Sequence, residues 1–327
     1  MTSPIKQRPR LSLHPGAEPL PGCRLIELVG EGGFGEVWKC QGLDGRIRAF
    51  KAVRDRSHGL ANDGPDVGRE LRAVTCVRSL QHPLLLAVER AEIVEGALLL
   101  VMEWADESLS DQLQRCRDAG RIGLPREPLL AWLSEAAEVL DLLNQDHGLA
   151  HLDVKPHNLL LAGGRAKVAD FGLVSRLNGG PSLAPECRPG VVSPLYASPE
   201  AFRGEPSPAS DQYSLALAFH ELLTGALPFA ARNVRQLVLQ HALHEPNLDR
   251  LPEADRPIVA RALAKDPPRR FPSCTDFVRA LAANPPDSVP VKSAFQEPAS
   301  YRVARRGLRE EECDVRSVMG GDAVPTE

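Results

Sequence analysis

The stretch His151-Leu152-Asp153-Val154-Lys155-Pro156-His157-Asn158 is followed, twelve residues later, by Asp170-Phe171-Gly172. An aspartate can position a hydroxyl group and take its proton late in a reaction. A lysine two residues further on can neutralise a phosphoryl group during its transfer. An asparagine and a second aspartate provide the oxygen ligands that Mg²⁺ prefers, alongside phosphates. These residues are typical of a magnesium-dependent phosphate site.

A glycine-rich segment near the amino terminus, Gly30-Glu31-Gly32-Gly33-Phe34-Gly35-Glu36-Val37, offers a second place for phosphate groups. Glycines allow positive φ and let backbone N–H groups approach phosphate oxygens closely. This spacing alone is weak evidence in a chain with 26 glycines, and it also occurs in dinucleotide-binding folds, where a helix follows directly. Here Val37-Trp38-Lys39-Cys40 resembles a strand, so a β-hairpin lid over phosphates is the better match.

Lysine is scarce, because only seven of the 39 basic residues are lysines. One of them, Lys51, follows Ala49-Phe50 on the next predicted strand and could reach the α- and β-phosphates of a nucleotide. Glu70 is the candidate acid that would hold it in place. The spacing does not establish this pair, and a solvated glutamate on a helix surface is the alternative interpretation.

The hydrophobic pattern changes once along the chain. Residues 24–54 predict β-hairpins, with strands over 24–29, 35–41 and 46–53 and turns at 30–35 and 42–45. A helix is predicted over 67–80, and two more strands over 87–94 and 97–104. Two helical apolar stripes follow, consisting of Leu129, Leu133, Ala136, Leu140 and Leu143, and of Leu215, Phe219, Leu222 and Leu223. A small β-rich lobe therefore precedes a larger helical lobe, joined near residues 103–106.

Composition excludes several classes of protein. The 327 residues carry a net charge of −4 and only 5% aromatic residues, which argues against a nucleic-acid partner. The seven cysteines show no metal-binding or redox spacing, which fits a reducing compartment. No apolar run reaches the length of a membrane segment, and the amino terminus lacks the features of a signal peptide. We therefore expect a soluble cytoplasmic protein, with flexible proline-containing tails over residues 1–22 and 283–327.

In this order, and with Ser198-Pro199-Glu200, Asp211 and Arg270 further on, the motifs resemble those of the eukaryotic-like Ser/Thr protein kinase family. The resemblance covers about residues 23–282. It implies an α+β, bilobal protein-kinase-like fold, with a β-rich N-lobe over about 23–103 and a helical C-lobe over about 106–282. The excess of arginine over lysine indicates a GC-rich genome and hence a bacterial source.

The family resemblance also implies a role for each matching residue. Asp153 would be the catalytic base and Lys155 the cation that stabilises the transition state, while Asn158 and Asp170 would bind Mg²⁺, or Mn²⁺ in its place. Residues implied to contact ATP are Val29, Gly30, Glu31, Gly32, Gly33, Phe34, Gly35, Val37, Ala49, Lys51, Glu70, Met102, Glu103, Ala105 and Leu160. Among these, Met102 takes the gatekeeper position, and Glu103 and Ala105 offer backbone groups to adenine.

Further matches concern the segment between Asp170 and Glu200. Ser193 stands where the family usually has a threonine that supports substrate docking, Glu200 and Arg270 would form a buried ion pair, and Asp211 would brace the catalytic loop. Candidate autophosphorylation sites are Ser175, Ser182 and Ser193.

Three positions depart from the family pattern. Leu152 replaces the arginine that usually precedes the catalytic aspartate and binds a phosphorylated activation loop, so we expect activity without that phosphorylation. Ser198 replaces an alanine, and Ala216 replaces a small glycine, which puts local packing in doubt.

Three functions fit the sequence. The first is an active kinase that phosphorylates Ser/Thr hydroxyls of proteins. The second is a nucleotide-binding pseudokinase or scaffold, suggested by the Leu152 departure. The third is a small-molecule kinase, which does not explain Ser198-Pro199-Glu200, Asp211 or Arg270.

Overall fold

The computed structural model describes residues 11–32, 35–54, 67–80, 82–177 and 193–284. These residues form two compact units, one ending at Asp106 and one beginning at Glu107. Gly33 and Phe34 of the glycine segment, the candidate phosphorylation site Ser182, and nearly all of the predicted carboxy-terminal tail lie outside the described residues.

The first unit contains a five-stranded antiparallel sheet with the strand order β1-β2-β3-β5-β4. Its strands and its helix agree with the predicted positions: β1 Cys23–Gly32, β2 Gly35–Gly42, β3 Ile47–Arg54, α1 Val67–Arg78, β4 Val88–Val94 and β5 Ala97–Glu103. Strand β1 continues past the predicted turn start at residue 30, because Gly32 still pairs with Gly35. Gly35 has φ +114°, and a Cβ there would lie 2.0 Å from the carbonyl oxygen of Ala52. Only glycine fits this position, where the hairpin passes close to β3.

Each face of this sheet carries a buried apolar cluster. Strand β5 shows the expected alternation, since Leu98 and Leu100 pack with Val74 of α1, whereas Leu99 points into a cluster on the opposite face. That second cluster also contains Trp38, Cys40 and Phe50. A second covering element is therefore needed on the side that α1 leaves open.

Residues 11–22 provide that cover. Leu20 is only 1% exposed and belongs to the second cluster, and Leu11, Leu13 and Ala17 pack against it. The backbone is held as well, because Gly16 N–H donates to the carbonyl oxygen of Leu25 at 2.8 Å. The prediction of a flexible tail over residues 1–22 is therefore wrong for residues 11–22. This segment contains the prolines that suggested a tail, but its leucines cover an apolar face of the sheet.

We expect Leu20→Ala to lower the free energy of unfolding by about 2–5 kcal/mol, because it opens a cavity in the second cluster. Leu43→Ala is the matched control, since Leu43 is 92% exposed and its truncation should change stability by less than about 0.5 kcal/mol. Urea denaturation followed by tryptophan fluorescence measures both. Equal effects of the two substitutions would show that residues 11–22 do not contribute to the core.

The second unit is mainly helical. Its helices are α2 Leu109–Asp118, α3 Arg126–Asp141, α4 Pro199–Phe202, α5 Ser210–Thr224, α6 Val234–Leu243, α7 Arg256–Ala262 and α8 Cys274–Ala283. A three-stranded sheet has the order β6-β8-β9, and a two-stranded sheet pairs β10 with β7. These strands are β6 Glu107–Ser108, β7 Leu149–Ala150, β8 Leu159–Ala162, β9 Arg165–Val168 and β10 Ser175–Arg176.

Helix α5 lies at the centre of this unit. Of its fifteen residues only one, Leu223, is not buried, and Gly225 ends the helix in the left-handed conformation with φ +72°. The methyl group of Ala216 is completely buried, so the departure from glycine is accommodated in the packing. The first predicted stripe is confirmed, because all its members are buried; four of them lie on α3 and Leu143 lies just past its end. Across the described residues, no helix combines the length and apolarity needed to cross a bilayer.

Candidate active site

The loop between β7 and β8 carries Asp153, and a buried carboxylate on α5 holds its backbone. Asp211 accepts hydrogen bonds from the N–H groups of His151 and Leu152, both at 2.8 Å. Leu152 has φ +64°, in the left-handed region that is strained for a branched side chain. The carboxylate thus stabilises a turn that the local sequence would not adopt by itself, and the expected bracing role of Asp211 is confirmed.

His151 connects this loop to the Asp170-Phe171-Gly172 segment. Its Nδ1 accepts the N–H of Asp153 at 3.2 Å, and its Nε2 lies 3.1 Å from the carbonyl oxygen of Ala169. The ring also meets Phe171 edge to face, with centroids 5.3 Å apart. Both ring nitrogens are therefore engaged in backbone contacts, which gives His151 a structural role.

Asp153 lies at the centre of a hydrogen-bonded cluster. Its Oδ1 accepts the hydroxyl of Ser193 at 2.7 Å, and its Oδ2 accepts Lys155 Nζ at 2.7 Å and Asn158 Nδ2 at 2.8 Å. Lys155 Nζ also donates to Ser193 Oγ at 2.8 Å. A buried carboxylate in contact with both a hydroxyl and an ammonium group can position an acceptor hydroxyl and accept its proton. Ser193 shows that this carboxylate does bind a hydroxyl in this way.

Asn158 and Asp170 form the candidate metal site. The backbone N–H of Ala169, the residue before Asp170, donates to the carbonyl oxygen of Asn158 at 2.9 Å, so the two segments are adjacent. The side-chain nitrogen of Asn158 is bound to Asp153, which leaves the amide oxygen on the opposite side of the group. The described residues contain no group of three or more His, Cys, Asp or Glu side chains that could hold a metal. One amide and one carboxylate nevertheless fit Mg²⁺, which takes its other ligands from water and phosphates.

In the first unit, Lys51 and Glu70 form a buried ion pair. Lys51 Nζ lies 3.1 Å from Glu70 Oε1, and both side chains are less than one tenth exposed. The pair joins the centre of β3 to the first turn of α1. The alternative of a solvated glutamate is therefore wrong, because Glu70 faces the sheet.

Most of the other described residues expected at the nucleotide lie on strands, whereas Ala105 follows the end of β5. Ala49 is buried on β3 opposite Met102 of β5, and the N–H of the next residue, Glu103, donates to the carbonyl oxygen of Ala87 at 2.9 Å. Val29 of β1 is half exposed. In the second unit, Leu160 is partly buried on β8.

We expect Glu70→Gln to destabilise the first unit by about 3–5 kcal/mol, because the buried Lys51 ammonium loses the negative charge of the Glu70 carboxylate. The double substitution Lys51→Met with Glu70→Leu removes both charges and should recover most of this loss. Glu27→Gln is the control, since the Glu27–Lys39 pair is exposed and worth about 0–1 kcal/mol. Urea denaturation of the three variants tests this, and a double variant no more stable than Glu70→Gln contradicts it.

The end of the segment that contains Ser193 is anchored by a second buried pair. Arg270 donates to both carboxylate oxygens of Glu200, at 2.7 and 2.9 Å, which confirms the predicted ion pair. Burial alone would raise the pKa of Glu200, but Arg270 and Ser210 hold it below its usual value. Tyr196 donates its hydroxyl to Glu221 of α5, a contact that the sequence motifs did not indicate.

The beginning of this segment is held by apolar contacts. Leu152 packs with Ala150 and Leu173, and Leu177 lies against the same cluster. Strand β10 pairs with β7 at the same place. The sequence contained a signal for this cluster, because Leu173 and Leu177 follow the Asp170 motif and Leu152 takes the place of a charged residue.

Comparison with known proteins agrees with this arrangement. Residues 23–284 match the family model described as "Protein kinase domain", and the chain belongs to that family. It is 32% identical to the serine/threonine-protein kinase PknF of Mycobacterium tuberculosis over 305 residues, which cover 88% of this chain and 63% of PknF. It is 32% identical to PknJ of the same organism over 80% of this chain and 45% of PknJ. It is 29% identical to pkn3 of Myxococcus xanthus over 90% of this chain and 56% of pkn3. The chain therefore spans about half to two thirds of the length of these relatives.

Proposed function

We propose that this chain is an active serine/threonine protein kinase, which transfers the γ-phosphoryl group of Mg-ATP to Ser/Thr hydroxyls of protein substrates. The observation that carries the proposal is the contact of the buried Asp153 carboxylate with both a hydroxyl, from Ser193, and the ammonium group of Lys155. The relatives named as serine/threonine-protein kinases support the same reaction class.

Each unit has its own part in this proposal. In the first unit, Lys51 binds the α- and β-phosphates, and Glu70 keeps the ammonium group in position. The remaining proposed nucleotide contacts are Val29, Gly30, Glu31, Gly32, Gly33, Phe34, Gly35, Val37, Ala49, Met102, Glu103 and Ala105 in the first unit and Leu160 in the second. In the second unit, hydrogen bonds among Asp153, Lys155 and Asn158 hold these side chains in position before substrate binds.

The chemistry needs few groups. Asp153 orients the acceptor hydroxyl and accepts its proton, and Lys155 offsets negative charge on the phosphoryl group during its transfer. Asn158 and Asp170 would hold the magnesium ion, which when bound neutralises charge on the phosphate oxygens. The buried position of Asp153 limits competing contact with water.

We expect Asp153→Asn to reduce turnover by about 10²–10⁴-fold, because the amide can still accept a hydrogen bond but cannot take the proton. The measurement is incorporation of labelled phosphate from ATP into a general protein substrate in the presence of Mg²⁺. Asp118→Asn is a matched control, since Asp118 is exposed at the end of α2.

The same assay separates the kinase from the pseudokinase. Equal labelling by wild type and Asp153→Asn, with nucleotide binding retained, would support a nucleotide-binding scaffold. Labelling of small metabolites in place of protein hydroxyls would support a small-molecule kinase. Unaltered activity of Asp118→Asn is required in either case, because it shows that loss of an exposed carboxylate has no effect.

We further propose that activity does not depend on phosphorylation of the activation segment. An arginine before Asp153 would bind a loop phosphate, whereas Leu152 is buried in the apolar cluster with Leu173 and Leu177. The β7–β10 pairing holds the same end of the segment through backbone hydrogen bonds. Both interactions are independent of a phosphate group. Of the candidate sites, Ser175 is buried in β10, which disfavours its phosphorylation in this conformation.

Ser175→Ala combined with Ser182→Ala, in a preparation shown by mass spectrometry to carry no phosphate in residues 170–200, tests this proposal. We expect the turnover of wild type, because the apolar cluster and the β7–β10 pairing remain. A large loss of activity in this preparation, restored when the wild-type segment is phosphorylated, would overturn phosphate independence without affecting the assignment of Asp153.

Protein substrates with Ser/Thr acceptors follow from the proposed reaction. We also propose a cytoplasmic location, where ATP is available and thiols stay reduced. The five cysteines that the structure describes all carry free thiols, which suits that compartment.

A further inference from the structure

A buried amide side chain just past the end of α3 has no part in the phosphoryl transfer described so far. Asn144 lies four residues after Leu140 and so continues the buried apolar side of that helix, where its own side chain is buried. The chain changes here from an α-helix to a π-helical turn over Leu142–Asp146. A polar side chain at a position that suits an apolar one needs a specific explanation.

The hydrogen bonds of Asn144 show where its amide group points. Its Nδ2 donates to the carbonyl oxygen of Leu140 at 2.7 Å and to Oδ2 of Asp211 at 3.3 Å. A carbonyl oxygen and a carboxylate can only accept, so the amide presents its nitrogen to both. Its Oδ1 is buried and has no hydrogen-bond partner among the residues that the structure describes. A buried acceptor without a partner lowers stability, so stability alone does not account for an asparagine here.

The carboxylate that Asn144 contacts accepts hydrogen bonds from three donors. Oδ1 of Asp211 accepts the N–H of Leu152, and Oδ2 accepts the N–H of His151 and the Asn144 amide. Burial raises the pKa of this carboxyl group above its usual value, whereas the His151 imidazole and the three hydrogen bonds act in the opposite direction. A proton on the carboxyl group would displace one of the donors. Each donor therefore favours the ionised form that holds the turn.

The Cys274 thiol of α8 also faces Asp211. Burial raises the pKa of this thiol, and the carboxylates of Asp141 and Asp211 raise it further, so the thiol stays protonated and uncharged. The His151 imidazole is the titratable group on the loop side of the carboxylate. Asn144 itself does not titrate. A change in the pH profile of an Asn144 variant therefore reports on the groups that its amide contacts.

We propose that Asn144 is a positioning residue for phosphoryl transfer, because its amide holds the Asp211 carboxylate in place and thereby sets the direction of Asp153. This inference rests on the proposed function, since it assigns a part in that reaction. Asp153 directly follows Leu152, whose left-handed conformation is held by its hydrogen bond to Asp211. Without the amide, the carboxylate keeps only its two backbone donors and binds a proton more readily.

Asn144→Leu tests this proposal, because leucine is of similar size and suits the apolar surroundings but has no donor. We expect kcat to fall about 10–100-fold, while KM for ATP changes less than about twofold, because the Lys51–Glu70 pair is untouched. A carboxyl group that loses a donor has a higher pKa, so the acid limb of the kcat profile should move to higher pH by about 0.5–1 pH units. Gln145→Leu is the matched control, since Gln145 is exposed on the same turn, and it should behave as wild type.

Amide hydrogen exchange, measured by NMR on the full chain, tests the contact without reference to activity. In Asn144→Leu we expect the N–H groups of His151 and Leu152 to exchange about 2–10-fold faster, because the carboxylate that binds them is less restrained. The N–H groups at the centre of α5 should keep their wild-type rates. The midpoint of urea unfolding should change little, because the loss of one donor to Asp211 is offset by removal of the unbonded Oδ1 of Asn144.

Two results would overturn the proposal. Wild-type kcat, pH profile and exchange rates in Asn144→Leu would show that Asp211 needs only its backbone donors. Faster exchange throughout α5, or an equal fall of kcat in Gln145→Leu, would show that the substitution disturbs packing in general. Asn144→Ala removes the same donor without adding an apolar branch, and it replaces Asn144→Leu in every measurement if the leucine variant does not fold.

Failure of the proposed function gives a different result. Wild type would then transfer no phosphate to protein at any pH, whereas the exchange rates would still decide the role of Asn144. A selective increase at His151 and Leu152 supports the contact that holds the loop, and unchanged rates overturn it.

Discussion

The carboxylate of Asp211, buried on α5, holds the backbone on which the candidate active site is built. It accepts the N–H groups of His151 and Leu152, and so keeps Leu152 in a left-handed conformation that costs about 1–2 kcal/mol for an ordinary residue. Asp153 is the next residue, and its direction follows from that turn. Asn144 also donates to Asp211, at 3.3 Å. The Asp211 side chain on α5 therefore binds both the segment that follows α3 and the loop between β7 and β8.

Two groups of buried polar contacts hold the segments next to this turn. Asp153 binds Lys155, Asn158 and Ser193, and the segment that carries Ser193 ends at the Glu200–Arg270 pair. Buried polar networks stabilise a single arrangement when every member has a partner, and they are costly when one is missing. The contacts of Asp153 with Lys155, Asn158 and Ser193 therefore favour one arrangement of the site, while Leu152 and Leu173 add an apolar contact at the other end of the same segment.

Much of this could be predicted from local pattern. The strands of the first unit, helix α1 and the α3 stripe follow from hydrophobic periodicity, and the motif residues Asp153, Lys155 and Asn158 lie together because they are neighbours along one loop. The role of residues 11–22 could not be predicted in this way. Their prolines look like those of a tail, and only the second buried face of the sheet shows why Leu20 is needed.

The sequence by itself determined the order of the motifs, the alternation of strands and helices and the residue types available for phosphate chemistry, because these depend on spacing along the chain. The tertiary structure decided which distant residues meet. Glu70 reaches Lys51 only because α1 packs on the face of the sheet to which Lys51 points. Pairing across a sheet or between buried side chains depends on register and packing. Neither can be predicted from the number of residues between two positions in the chain.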